Sequence, residues 1–303
     1  MSNSKGRSLE LYFIDGKPDG MLTAEVFNWT GHVLVTPRTQ ISQALARREA
    51  RYTGIYLLLG DSDGEPLAYV GEGEDIAERI RNHDARKDWW TKAVLVTTGA
   101  NNLNKAHVKY LEARLIEEAQ TIGRVPLDNG NTPGRPGLSE AAQANMEGFL
   151  EYLYIVLPAI GIDMFVRRTR KSTAAKDPAQ PAATGDDSVP VVFETKVKKH
   201  NLKATAKLEN GEFVVQAGSL ARKEWMGQGA HNYKKQFDEL VRAGILVEQG
   251  DHRVFSENYA FTSPSAAGAM VTGRSCNGQL AWVVQGTSET YQAWEQRKLT
   301  EQE

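Results

Sequence analysis

TGIYLLLG (residues 53–60), LAYVGEGEDIAERIRNHD (67–84), KAVLVTTG (92–99) and NLNKAHVKYLEARLIEEA (102–119) follow one another along the chain, and their reading decides the fold. The first two runs flank DSDGEP (61–66), whose Asp, Gly and Pro reverse a chain, so they predict a β-hairpin. A helix is predicted from just after Gly73. Asp75 is placed to cap it or to sit in its first turn, Ile76 and Ile80 repeat on one face, and neither Gly nor Pro intervenes before His83. Arg79 and His83 lie one helical turn apart and share a neighbouring face. Residues 92–98 read as a third strand. Val94 and Val96 alternate with Ala93 and Leu95, so both faces are partly buried, as in a central strand covered by helices.

The helix predicted over 103–119 carries an anomaly. Leu103, Ala106, Tyr110, Leu111, Ala113 and Leu115 form a broad apolar stripe that Val108 and Ile116 widen, and Glu112 falls midway between those last two. An acid thus interrupts an apolar column. A buried carboxylate without a partner is costly, so one in such a column calls for an arginine, a metal or backbone donors opposite. The plain alternative is a wide helix with Glu112 at the edge of its stripe.

With 303 residues, 41% hydrophobic and 24% charged, the chain has the make-up of a soluble protein of two ordinary domains. A net charge of −2 does not advertise a nucleic-acid binder, although local patches matter more than the sum. The single cysteine, Cys276, removes any internal disulfide framework or thiolate-rich zinc site and fits a reducing compartment. The opening MSNSKGRSLE has no signal-like apolar core, and no run approaches the ~20 apolar residues that span a bilayer. A cytoplasmic location is expected.

Outside the central stretch, 1–52 reads as a β-rich extension: strands over 8–16, 22–27 and 32–36, then a helix over about 40–51. Trp29 is expected to fold over its hairpin. After the loop GRVPLDNGNTPGRPGLSE (123–140), Ser139 is a plausible cap for a helix reaching about Leu157, whose apolar residues pack it onto the first domain. The segment 132–166 is therefore a packing region, and 167–190, poor in large apolar residues, reads as a linker that opens on the basic cluster Arg167, Arg168, Arg170 and Lys171. A second α+β domain is expected over 191–303. Its signals are ENG (209–211) between alternating runs, five lysines without an acid across 196–207, a helix over about 233–243, a cap at Ser263 or Ser265, and an ending in which Trp282, Tyr291 and Trp294 close the core.

Gly54, Ile55 and Tyr56, then Tyr69, Val70 and Gly71, then Arg79 with His83, then Glu112, arrive in an order that resembles the GIY-YIG nuclease superfamily over roughly residues 53–131. The resemblance implies an α+β fold with a small three-stranded antiparallel sheet flanked by helices, and hydrolysis of a DNA phosphodiester with a divalent cation. It implies that Tyr56 contacts or activates water, that Tyr69 lines the site, that Arg79 contacts the substrate phosphate and that Glu112 holds the metal. The superfamily's late asparagine corresponds to Asn129 or Asn131. The chemistry agrees with those roles: a hard cation on one carboxylate, largely water-ligated, points to Mg²⁺ or Mn²⁺, and a guanidinium fork matches phosphate oxygens. His83 is a relay or rival base. Scattered histidines without an HExxH pattern speak against zinc.

Two departures stand out. The second motif reads YVG, and between Asp61 and Asp88 nine acidic residues face four basic ones, which suits a polyanion only if the acids turn away or collect metal. GEFVVQAGSLAR (211–222) and FTSPSAAGAMVTGRSCNG (261–278) resemble a poorly characterised module that follows such nuclease domains in bacterial proteins. It is expected to position substrate or recruit a partner, with Lys198, Lys199 and Arg274 as the first candidates for phosphate contact. The expected function is a metal-dependent endonuclease acting on double-stranded or branched DNA. The alternatives are a silent nuclease-like domain that binds nucleic acid, or a protein-interaction module whose N-terminal extension or C-terminal module meets a protein partner or a second copy. Residue by residue, Tyr56 and Tyr69 also suit packing on a helix, Arg79 a surface pair with Glu78 or Asp75, and His83 a helix C-terminus.

Overall fold

The structure is a computed structural model that describes residues 6–84, 87–131, 133–170, 191–209, 211–227 and 232–300. These fall into two compact units divided between Val166 and Arg167. Among the described residues no helix is long and apolar enough to cross a membrane.

The first unit is built on one antiparallel sheet. Its strands are β1 (Leu9–Phe13), β2 (Leu22–Val26), β3 (Gly31–Pro37), β4 (Gly54–Ser62), β5 (Glu65–Gly73) and β6 (Trp90–Thr98). Their spatial order is β1-β2-β3-β6-β4-β5, so the sheet has six strands where three were expected. The reason lies in β6: one edge pairs with β4, and the other pairs with β3 over the full run Gly31–Pro37, so the N-terminal strands continue the sheet. The helices are α1 (Ile41–Ala46), α2 (Ile76–Asp84), α3 (Lys105–Ile122) and α4 (Glu140–Ala159).

Strand alternation sends side chains to two cores. Val33, Val35, Ile55, Leu57, Val70, Val94 and Val96 join α3 and α4, while Leu34, Tyr56, Leu58, Ala93 and Leu95 join α1 and α2. Burial on both faces explains the continuous hydrophobic text of β4 and β6. Trp29 lies over Gly31, where a Cβ would overlap its ring, and also packs on Phe149 of α4 at 4.9 Å between ring centroids. The helix expected over 40–51 is shorter: it stops at Ala46 because Arg47 is extended (φ −70°, ψ 149°), and a 3-10 turn, Arg48–Arg51, follows. The Asn104 side chain accepts from the His107 N–H to start α3, and Gly123 ends it in the left-handed region (φ 65°).

In the second unit the strands are β7 (Thr169–Arg170), β8 (Val192–Val197), β9 (Leu202–Glu209), β10 (Glu212–Val215), β11 (Leu220–Arg222), β12 (Leu246–Gln249), β13 (His252–Phe255), β14 (Asn258–Phe261) and β15 (Val283–Val284). They form a six-stranded sheet, β15-β8-β9-β10-β14-β7, and a three-stranded sheet, β11-β13-β12. Its helices are α5 (Asn232–Arg242), α6 (Pro264–Thr272), α7 (Gly278–Ala281) and α8 (Tyr291–Thr300). Ser263 caps α6 through the Ala266 N–H. Trp282, Tyr291 and Trp294 surround Phe193 and Phe213 at centroid separations of 5.1–5.7 Å.

One expectation changes here. The start of the expected linker belongs to the fold, because β7 occupies the open edge of β14 and Arg170 pairs with Glu212. The rest of it, 171–190 with Lys171, lies outside the described residues, as does Asn210 of the ENG turn. At the ending, Asn277 accepts from the Gln279 N–H and starts α7 just before Trp282, and the short β15 follows.

The helix α4 is integral to the first core. Its Met146, Phe149, Leu150, Leu153, Val156 and Leu157 are buried, and Glu147 ties it to α3 by accepting from Tyr110 Oη (2.6 Å) and from Arg114 Nε (2.6 Å). Leu153→Ala, at a site with no exposure, is therefore expected to cost about 2–5 kcal/mol. Urea unfolding with an unchanged denaturant slope measures this, and a loss under about 0.5 kcal/mol, a surface-like value, would remove α4 from the core.

Candidate active site

The site is assembled at the open end of the β4–β5 hairpin. Tyr56 on β4 stands opposite Gly71 on β5, and a Cβ at Gly71 would overlap the Tyr56 phenol. Glycine at this position lets the ring lie across β5. Gly54 has a similar reason, since a Cβ there would run into the Val96 carbonyl, and one at Gly73 would sit 2.7 Å from Arg79 Cγ. The motif glycines are thus positions of close approach, where any side chain would displace a site residue or a neighbouring strand.

Tyr56 is fully buried, and its hydroxyl meets no partner at full hydrogen-bond geometry among the described residues, although the Tyr69 phenol is near enough to act on it. Burial and the nearby Tyr69 phenol push its pKa up against the weaker pull of Arg79, so it stays a neutral phenol at ordinary pH. Tyr69 and His83 complete an aromatic cluster, with His83 4.7 Å from Tyr69 and 5.8 Å from Tyr56 between centroids. Lys87 reaches over the Tyr69 ring at 4.8 Å. Burial followed by the charge of Glu112 raises the Tyr69 pKa as well.

Asp75 accepts from the Glu78 N–H at 3.0 Å and so fixes the start of α2. Arg79 is exposed, donates from Nε to the Glu72 carbonyl (3.3 Å) and makes no ion pair with Glu78 or Asp75. The outer nitrogens of its guanidinium make no hydrogen bond among the described residues.

Glu112 approaches from α3. It is half-buried between buried Val108 and Ile116, and it has neither an ion pair nor a hydrogen bond among the described residues. Burial first, then the neighbouring Glu72 carboxylate, lift its pKa to about 7, against the opposing pull of Arg79, Lys105 and Lys109. Glu72 is the more buried of the two acids, and Lys105 satisfies it through bonds of 2.9 Å to both carboxylate oxygens. Neither Glu72 nor Lys105 was singled out for the site. Their signal in the sequence was Glu72 alternating into the sheet next to YVG, with a lysine at the first turn of the following long helix.

Asn129 is at the site's edge in a positioning role. Pro126 and Asp128 bond to Ala68 on the open side of β5, and Asn129 then accepts from the Val70 N–H (3.0 Å) and donates to the Val70 carbonyl (2.7 Å). Its side chain thereby closes the edge of the strand that carries Tyr69 and Glu72. Asn131 is exposed and is not tied to these residues. Tyr56, Tyr69, Arg79, His83 and Glu112 are therefore neighbours, and each of the two tyrosines feels the charges of Arg79 and Glu112.

The oxygen donors fit a hard cation: an unpaired carboxylate with an elevated pKa beside an orphaned phenol hydroxyl. Among the described residues no group of three or more His, Cys, Asp and Glu is placed to hold a metal, so protein would supply few ligands.

Lys198, Lys199 and Arg274 belong to the second unit, all exposed, and Lys199 and Arg274 both act on His200. Residues 193–295 match a family described as a domain of unknown function, DUF4357. No curated protein and no solved structure matches the chain.

The Glu112 carboxylate gives a pH signature. Below about pH 4.5, its ordinary value, the group is protonated in both folded and unfolded chains and imposes no penalty. Between there and about pH 7 the folded protein holds a proton that the unfolded chain releases, so stability falls as pH rises, and above 7 the full penalty stands. Glu112→Gln is expected to gain about 1–2 kcal/mol at pH 8, a value that allows for solvent screening, and nothing at pH 4. Chemical unfolding at both pH values checks this, and equal stability at pH 8 would mean that the carboxylate is solvated.

Proposed function

We propose that the first unit hydrolyses phosphodiester bonds of DNA, as a metal-dependent endonuclease. The observation that supports this best is Glu112: a half-buried carboxylate left unpaired beside a buried phenol and an arginine whose outer nitrogens are unengaged. A stable fold has no use for that arrangement, whereas a cation and a phosphate would complete it.

In this reading Glu112, with water, would hold Mg²⁺ or Mn²⁺, which when bound would neutralise charge on the phosphate and acidify water. Arg79 offers its outer nitrogens to the non-bridging oxygens, where charge grows in the transition state. Tyr56 positions a water through its hydroxyl, and would serve as a base only as the phenolate, which its raised pKa disfavours in the absence of added positive charge. Tyr69 and His83 wall the notch, with His83 as a relay for the proton. Asn129 positions β5.

The acidic excess of 61–88 does not oppose this reading. Asp61, Asp63 and Glu65 are exposed at the hairpin turn, at the other end of β4 and β5 from Tyr56 and Gly71. Asp75 is a helix cap, and Glu72 is neutralised by Lys105. A reducing, cytoplasmic setting with double-stranded or branched DNA as substrate belongs to the same proposal.

The test is a cleavage panel of supercoiled, linear, branched and single-stranded DNA with Mg²⁺ or Mn²⁺. Glu112→Gln is expected to abolish cutting while leaving the fold intact, and Arg79→Ala to lower it by about 10²–10³-fold. Normal cutting by both variants would remove this site. Binding without cutting by the unmodified protein with either metal would assign the unit a nucleic-acid-binding role instead.

A further inference from the structure

The second unit has a basic cavity of its own. β8 runs into a 3-10 turn, Lys198–His200, and Asn201 at φ 50° sends the chain back into β9. Arg222, at the end of β11, pairs in register with His252, at the start of β13. These segments border a half-open cavity of about 520 Å³ lined by Lys198, Lys199, His200, Arg222, Lys223 and His252.

Its charges are unevenly satisfied. Lys223 is paired with Glu248 at 2.7 Å. Arg222 Nη1 donates to His200 Nε2 (2.6 Å), which makes that nitrogen an acceptor and keeps the ring neutral, and the His200 carbonyl accepts from His252 Nε2 (2.8 Å). The ammonium groups of Lys198 and Lys199 have no ion pair or hydrogen bond among the described residues. Lys198, Lys199 and Arg222, with neighbouring Arg274, stand against the lining carboxylates Glu224 and Asp251, which leaves two positive charges in excess. Desolvation first, then the cations Arg222, Lys199 and Arg274, push the His200 pKa down, in keeping with a spot where positive charge outweighs negative.

We propose that this cavity binds a phosphomonoester, carried by a mononucleotide or by the 5′ end of a DNA strand. A phosphomonoester carries about −1.5 to −2 charges at neutral pH and three strong acceptor oxygens, matching the surplus charge and the ammonium and guanidinium donors. A phosphodiester within a strand carries a single charge, which matches a surplus of two less well, and the lining carboxylates Glu224 and Asp251 would repel the phosphates that flank it. This site stands on its own geometry and does not depend on the hydrolytic reading of the first unit.

The experiment uses the full chain in EDTA, which silences metal-dependent cutting. Binding is measured by calorimetry for inorganic phosphate, a nucleoside 5′-monophosphate, and a short single strand with and without its 5′ phosphate. The phosphorylated strand or the mononucleotide is expected to bind at least about tenfold more tightly than the strand lacking the phosphate. Exposed Lys198 and Lys199 can be changed without disturbing the core, and Lys198→Gln with Lys199→Gln is expected to erase that preference. Lys203→Gln with Lys207→Gln, equal in charge on β9 outside the cavity, should leave it. A phosphorylated strand that outbinds the mononucleotide assigns the cavity to strand ends, and parity assigns it to the free nucleotide. Equal affinity for the two strands with no binding of the mononucleotide, or equal losses in both double variants, would overturn the proposal.

Discussion

The close approach of Tyr56 to Gly71 across the first hairpin is the constraint on which the candidate site depends. With no side chain at Gly71, the phenol crosses β5 and reaches the side of the strand where Tyr69 and His83 gather. Burial there strips the hydroxyl of water and leaves it without a well-formed hydrogen bond among the described residues. That is a cost the fold carries, because a buried donor and acceptor left unmade forfeits its solvation. Moving the ring back toward solvent would relieve the hydroxyl and open a hole beside α2, so the glycine, the tyrosine and the helix fit only as a set.

Two glutamates meet at this notch with opposite fates. Glu72 is deep in the sheet and is held by Lys105 from the first turn of α3, while Glu112, less than two turns further along the same helix, is left bare. One lysine cannot satisfy both, and the paired acid raises the pKa of the unpaired one. The result is a carboxylate near its midpoint at neutral pH, adjustable by whatever charge arrives. Had Lys105 bridged to Glu112 instead, the notch would hold a closed ion pair and nothing would remain to attract a cation.

The local elements of this structure were legible because their signals are local. The hairpin, the start of α2, β6 and the cap of α6 follow from turn residues, periodicity and capping side chains that lie within a few positions of one another. The extent of the sheet was not, because pairing of β3 with β6 joins residues some sixty positions apart, and alternation alone does not say which edge a strand seeks. The site residues on the motif were visible as a pattern, yet Lys105 on Glu72 and Asn129 on Val70 depend on tertiary contacts that composition does not encode. In the second unit Lys198 and Lys199 were visible as charge. Their grouping with Arg222, His200 and His252 was not, since it requires segments from β8, β11 and β13 to meet. The early stop of α1 has the same lesson in reverse: strong helix formers at 47–51 yield to an extended Arg47, whose guanidinium pairs with Glu49.

The two units place their unsatisfied charge in opposite senses, and this constrains how a polyanion can use the first of them. At the notch Glu112 and Glu72 oppose Arg79 and Lys105, so the local field offers little attraction to phosphate by itself. A divalent cation on Glu112 would reverse that balance, and a phosphate would in turn supply ligands that the protein lacks. By linkage each would tighten the binding of the other, which makes substrate affinity depend on metal and metal affinity depend on substrate. The cavity around His200 needs no such helper, because its surplus is already positive. On the proposed reading, phosphate recognition in the second unit would be independent of metal, while hydrolysis at the notch would wait until cation and phosphate arrive together.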